Sequence, residues 1–139
     1  MADSIFTKII NGEEPGEVLY EDDRAFVILT LAPNRPGHSL VIPKRQVQTF
    51  YEMGAEDYRY LMDLARRFAV MLDNVYRPKV VALSLMGLGV PHVHVHLVPI
   101  QDETDMNHEK GVFVGIEKVR PEAERIRAYL AQHPFESIQ

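Results

Sequence analysis

The chain has 139 residues, 46% of them hydrophobic and 25% charged, the size and make-up of one domain with a sizeable core. A net charge of -5 with histidines neutral opposes non-specific binding to a nucleic-acid backbone, which needs many phosphates neutralised by Lys and Arg. There is no cysteine, so disulfides and thiolate chemistry are excluded.

A single domain over 1–139 is expected, binding neither nucleic acid nor membrane. No apolar run approaches the roughly 18 residues of a membrane span, and the N-terminal stretch lacks the basic and apolar regions of a signal peptide. The expected location is cytoplasmic.

The first expected element is a short helix, capped by Asp3 or Ser4 and ended by Gly12, with Ile5, Phe6, Ile9 and Ile10 as its buried stripe. Strands follow at Glu17–Glu21 and 24–31, turning on Asp22 and Asp23. Residues 32–37 hold two prolines, an Asn and a Gly and must be a loop; 38–42 reads as a third strand. The clearest helix runs over about Ala55–Tyr76, where Leu61, Leu64, Ala65, Phe68, Leu72, Val75 and Tyr76 share one face and Pro78 follows. Residues 79–85 and 92–98 are strands, 101–110 a polar mobile loop. Pro121 suits the first turn of a last helix carrying Ile126, Tyr129 and Leu130. Tight turns between strands predict an α+β domain with an antiparallel sheet and its helices on one side.

The stretch 92–98 alternates His92, His94 and His96 with Val93, Val95 and Leu97. On a strand the three imidazoles share one face at intervals of about 6.6 Å, the apolar residues pointing into a core. Three readings compete: structural histidines, a metal site of neutral imidazole ligands, and nucleophilic catalysis at phosphorus. Against a metal, the strand holds no carboxylate to support ligating rings. For the third, an imidazole titrates near neutral pH and can act as nucleophile, with neighbours binding phosphoryl oxygens or moving a proton.

This stretch resembles the motif of the histidine triad (HIT) family of nucleotide hydrolases and transferases. Two further matches are the run from Pro36 to Arg45 (PGHSLVIPKR) and the N-terminal Ile5-to-Glu13 and Val18-to-Asp23 segments. The resemblance covers roughly residues 4 to 100. It implies a five-stranded antiparallel sheet with two main helices, paired into a homodimer. It also implies AMP- or GMP-like substrates: nucleoside phosphoramidates, aminoacyl adenylates or dinucleoside polyphosphates. His94 is then the nucleophile at the α-phosphorus, His96 contacts the phosphate and aids proton transfer, His92 orients His94, and His38 joins from a neighbouring strand. No cofactor or metal is needed for that cycle.

The sequence departs from the family pattern at several polar positions. Two cysteines and a histidine that hold structural zinc in many bacterial members are Ser4, Thr7 and Gln46 here, so no structural zinc is expected. In the substrate pocket, Leu88 replaces a phosphate-touching Gln, Gly89 a serine of one branch, Thr30 an acidic ribose contact and Val81 an asparagine. Gly87 and Gly89 can still offer backbone N–H groups to a phosphate, and Leu88 can line an apolar base pocket. These losses keep a non-catalytic nucleotide-binding module open as an alternative, beside a metal-dependent enzyme. Lys44 and Arg45 read as a solvated strand end, Asn34 and Arg35 have no spacing that supports a ligand contact, and His108 and His133 read as surface residues.

Overall fold

Five short runs rich in Val, Ile and Leu build one antiparallel sheet in the computed structural model, which describes residues 2–139. They are β1 (Glu17–Glu21), β2 (Ala25–Leu29), β3 (Ser39–Pro43), β4 (Val80–Ser84) and β5 (Val95–Ile100). Their order across the sheet is β1-β2-β3-β5-β4. Three helices complete the domain: α1 (Ile5–Ile10), α2 (Ala55–Tyr76) and α3 (Ile116–Gln132). The β1–β2 turn forms because the Asp22 carboxylate accepts from the backbone N–H of Arg24 and Ala25 at 2.7 and 2.8 Å.

Alternation along the strands divides the core into two layers. Ala25, Val27, Leu29, Val41, Val95 and Leu97 face α2 and α3, meeting Leu61, Leu64, Phe68 and Leu72 from one and Val119, Ala123 and Ile126 from the other. On the opposite face Phe26, Ile28, Leu40 and Ile42 are covered by Phe6 of α1, with Ile9 and Ile10 beside it. β2 is therefore buried on both sides, the reason its sequence is a continuous apolar run.

The α+β class, the five-stranded antiparallel sheet and the two main helices are as expected, but three details differ. Helix α1 lies on the face away from α2 and α3, so the helices are not confined to one side. Pro121 is the sixth residue of α3 rather than part of its first turn; the helix starts earlier because Val119 is buried in the core. The ladder of β5 begins at Val95, not at residue 92. Its partner β3 ends at Pro43, which has no N–H, and the Val93 N–H donates instead to the Val47 carbonyl at 2.8 Å.

Residues 101–110 are not irregular. Two short 3-10 turns, Glu103–Met106 and His108–Lys110, are capped by the side chains of Asp102 and Asn107. No helix among the described residues is long and apolar enough to cross a membrane.

Candidate active site

Strand register gathers the site on the α1 face of the sheet. Val18, Ile28, Leu40, His96 and Ser84 stand opposite one another in sequence across β1, β2, β3, β5 and β4. Paired residues share a face, so His96 sits between an apolar floor and Ser84. His38 immediately precedes β3, and the segment 92–94 leads into β5 beneath α1. The structure thus brings His38, His92, His94 and His96 together. The rings of His94 and His96 are 4.9 Å apart, those of His38 and His96 5.2 Å, and Phe6 of α1 packs on His94 at 4.9 Å. His38, His92 and His94 are buried and His96 is half-buried, so the face meets water only at its outer ring nitrogens.

Hydrogen-bond partners assign the imidazole protons. Nδ1–H of His94 donates to the His92 carbonyl at 2.7 Å, which leaves a lone pair on Nε2. Nε2–H of His92 donates to the Pro43 carbonyl at 2.7 Å, and its Nδ1 accepts from the Ser4 hydroxyl at 2.6 Å. The Asn34 backbone N–H donates to His38 Nδ1 at 3.0 Å. His38 therefore carries its proton on Nε2 and donates it to His96 Nδ1 at 2.9 Å. The proton of His96 is left on Nε2. Among the described residues the Nε2 atoms of His94 and His96 have no partner, yet neither is a buried orphan. One accessible nitrogen is a lone pair and the next is an N–H.

Burial sets the charge state. It pushes His38 and His96 down to about 3, with the neighbouring histidines adding to the effect. His92, His94 and His108 are lowered as well, first by burial. The cluster is neutral near physiological pH.

Sequence reasoning missed three participants. His108, read as a surface residue, packs on His96 at a tilt of 31° with ring centres 4.3 Å apart and lies 5.7 Å from His38. Its Nε2 is 3.0 Å from Ser84 Oγ. Asn34 reaches it with Nδ2 at 3.2 Å from His108 Nδ1. Neither a motif nor a period marks these residues; only the fold joins the loop before His38 to the turn at 108.

The remaining expected positions lie around this cluster. Thr30 accepts from the Ala32 N–H with its hydroxyl and donates its own N–H to the His38 carbonyl, both at 3.1 Å. It lines a cavity of about 290 Å³ behind His38, with Leu29, Pro33, Gly37 and Val119. Gly87 and Gly89 both adopt left-handed backbone, φ 82° and 75°, in the loop that leads to His92. Between them Leu88 is 77% exposed.

Ser4, Thr7 and Gln46, the positions matching zinc ligands of other members, do meet, with His92 beside them. Beyond the Ser4–His92 bond, the Ser4 N–H donates to Gln46 Oε1 at 2.9 Å and the Thr7 N–H to Ser4 Oγ at 3.2 Å. Two hydroxyls, an amide and an imidazole with both nitrogens engaged do not suit zinc, which favours thiolate and free imidazole. His38, His96 and His108 bring ring nitrogens within 4.8 Å of one another, but an ion shared there has to displace the His38–His96 hydrogen bond.

Proteins of similar sequence and fold are known. A HIT domain matches residues 11–103. A HIT-like protein from Mesomycoplasma hyorhinis is 34% identical over 104 residues, covering 70% of this chain and 92% of that one. Another from Methanocaldococcus jannaschii is 33% identical over 99 residues, covering 68% and 77%. The crystal structure of a HIT-like protein involved in cell-cycle regulation from Bartonella henselae superposes with TM-score 0.80 at 25% identity, covering 92% of this chain and 96% of that one. On this match the chain belongs to the HIT family.

Proposed function

We propose that this protein is a nucleotidyl hydrolase or transferase acting on the α-phosphate of a small AMP- or GMP-like substrate through a covalent nucleotidyl-His94. The observation that carries this is the bond from His94 Nδ1–H to the His92 carbonyl at 2.7 Å. It holds the ring in one tautomer and leaves an accessible Nε2 lone pair. When Nε2 bonds to phosphorus the ring becomes cationic, and the same carbonyl stabilises that charge.

His94 Nε2 attacks the α-phosphorus, and the bond to the leaving group breaks with its electron pair going to that group. His96 donates Nε2–H as a hydrogen bond where charge develops and orients water that supplies the leaving group's proton. The hydroxide left by that water then attacks phosphorus, and the P–N electron pair returns to His94. Over the cycle one water is divided, OH to phosphorus and H to the leaving group. In this scheme His92 orients the nucleophile and His38 sets the tautomer of His96. Thr30, Gly87, Leu88 and Gly89 border the nucleotide. No metal or cofactor enters the steps as written. The scheme includes a homodimer, supported by the unpaired edge of β4, where Val80 and Leu83 are 52% and 45% exposed.

Incubation with adenosine phosphoramidate is expected to release AMP, and a His96→Ala variant to accumulate protein heavier by one nucleotidyl group. Unchanged turnover in His94→Ala would remove the assigned nucleophile. A non-catalytic nucleotide-binding module is favoured by one observation: the Thr30 hydroxyl is engaged by the Ala32 N–H and is poorly placed to replace a carboxylate at a ribose. AMP binding without turnover across phosphoramidate, adenylate and dinucleotide substrates would select it.

A further inference from the structure

Asn34 and His108 lie outside the histidine motif but are built into its site. The carbonyls of Asp105 and Asn107 accept from Asn34 Nδ2 at 2.8 and 3.2 Å, so the NH2 side of this amide faces the turn at 108. Its oxygen is buried without a partner, and a Cβ on Gly111 would stand 2.8 Å from it. The amide is held by its bonds to the two carbonyls, with Gly111 packed against its oxygen. Nδ2 offers no lone pair, so His108 Nδ1 at 3.2 Å can only accept, sharing with the Asn107 carbonyl the second amide N–H, and its Nε2–H donates to Ser84 Oγ at 3.0 Å.

A protonated His108 would turn Nδ1–H against the amide N–H, so this arrangement selects the neutral ring. That ring lies 4.3 Å from His96 at an interplanar angle of 31°, fastened to Ser84, the residue opposite His96 in the β4–β5 pair. The backbone N–H of the same Asn34 starts the second chain of hydrogen bonds, through His38 to His96 Nδ1. One residue thus holds His96 by two routes, along a hydrogen-bond relay and through a tilted ring packed on it.

We propose that Asn34 and His108 are positioning residues that seat His96 with its proton on Nε2 and keep a neutral ring against it, a role that rests on the nucleotidyl-transfer reading of His94 and His96. The neutral state matters because His38 and His96 pack on His108 and His94 packs on His96. A cation at His108 would oppose the positive charge that His94 acquires on bonding to phosphorus. The ring also takes the place beside His96 that a flexible polar side chain could not hold as stiffly.

Long-range proton–nitrogen correlation spectra of protein labelled with 15N-histidine test this without any substrate. In the wild type, His96 and His108 are expected as neutral Nε2–H tautomers near neutral pH. In Asn34→Asp, whose carboxylate accepts, His108 is expected to shift to the imidazolium signature. With adenosine phosphoramidate, His108→Ala is expected to lower kcat between about 10- and 100-fold with little change in KM. His108→Phe, which keeps a ring on His96, is expected to recover most of that loss. A His96 proton on Nδ1, a His108 that stays neutral in Asn34→Asp, or equal losses in the Ala and Phe variants would overturn the assignment. If no substrate turns over, the nucleotidyl-transfer reading fails while the spectra still decide the tautomers.

Discussion

The hydroxyl of Ser4 donates to Nδ1 of His92 at 2.6 Å across 88 positions of sequence. The same oxygen accepts the Thr7 N–H and so caps α1. One buried side chain therefore starts a helix and fixes the tautomer of the histidine whose carbonyl holds His94.

Removing that hydroxyl leaves a fully buried ring nitrogen without a donor. Ser4→Ala is expected to destabilise the fold by about 1–3 kcal/mol, measured by urea unfolding. It is also expected to slow turnover, since His92 is then free to exchange tautomers and loosen the carbonyl beneath His94. A loss of only a few tenths of a kcal/mol would mean that the bond is not maintained in solution.

The histidine cluster makes stability depend on pH with a definite sign. His38 and His96 are held down at about 3 from an ordinary 6.5. Below 6.5 the unfolded chain takes up protons at these positions while the folded chain does not, so stability falls as pH falls towards 3. Each histidine contributes at most about 1.4 kcal/mol per pH unit within that window. Asp22, lowered from 3.8 despite its burial by hydrogen bonds from Tyr60, Arg24 and Tyr20, adds its own loss only at the acid end. Urea midpoints between 6.5 and about 4.5 isolate the histidine part, and His38→Asn is expected to flatten it. A midpoint constant over that range would contradict neutral, buried rings.

Gly37 holds the loop that delivers His38. It sits at φ 86°, and a Cβ there would come within 2.5 Å of the Tyr76 ring. That ring cannot swing aside, because its hydroxyl donates to Glu122 at 2.7 Å and Arg125 lies over its face at 4.6 Å. Gly37→Ala combines left-handed strain with overpacking and is expected to destabilise by about 2–4 kcal/mol. Chemical denaturation measures it; a neutral effect would show that α2 and the His38 loop can move apart.

Much of the fold was legible because it follows local periodicity. The bounds of α2 and β1 come out as read, whereas His38 comes beside His96 only through the register that sets Leu40 against His96. What the sequence concealed depends on contacts between distant segments. The start of β5 is decided by where β3 runs out at Pro43, which no reading of 92–98 contains. His108 lies in a polar run and enters the site because Asn34, whose spacing supported no ligand contact, grips the carbonyls of Asp105 and Asn107. Helix α1 crosses to the other face because Phe6 must cover the second apolar side of β2, a side that a continuous hydrophobic run does not assign.

Leu88 offers a test in the direction of gain. The family resemblance places a glutamine here, touching the phosphate chain, and the loop retains the left-handed glycines Gly87 and Gly89 on either side. The Leu88 side chain is 77% exposed, so replacing it gives up little packing and is expected to leave stability within about 0.5 kcal/mol. A new hydrogen bond to a charged phosphate contributes about 1.5–3 kcal/mol when well placed. Leu88→Gln is therefore expected to raise kcat/KM for adenosine phosphoramidate by about tenfold or more. The increase is expected in a wild-type background and absent with His94→Ala, because a phosphate contact adds nothing without the nucleophile. No increase, with stability unchanged, would place Leu88 away from the phosphate and favour its use against an apolar base.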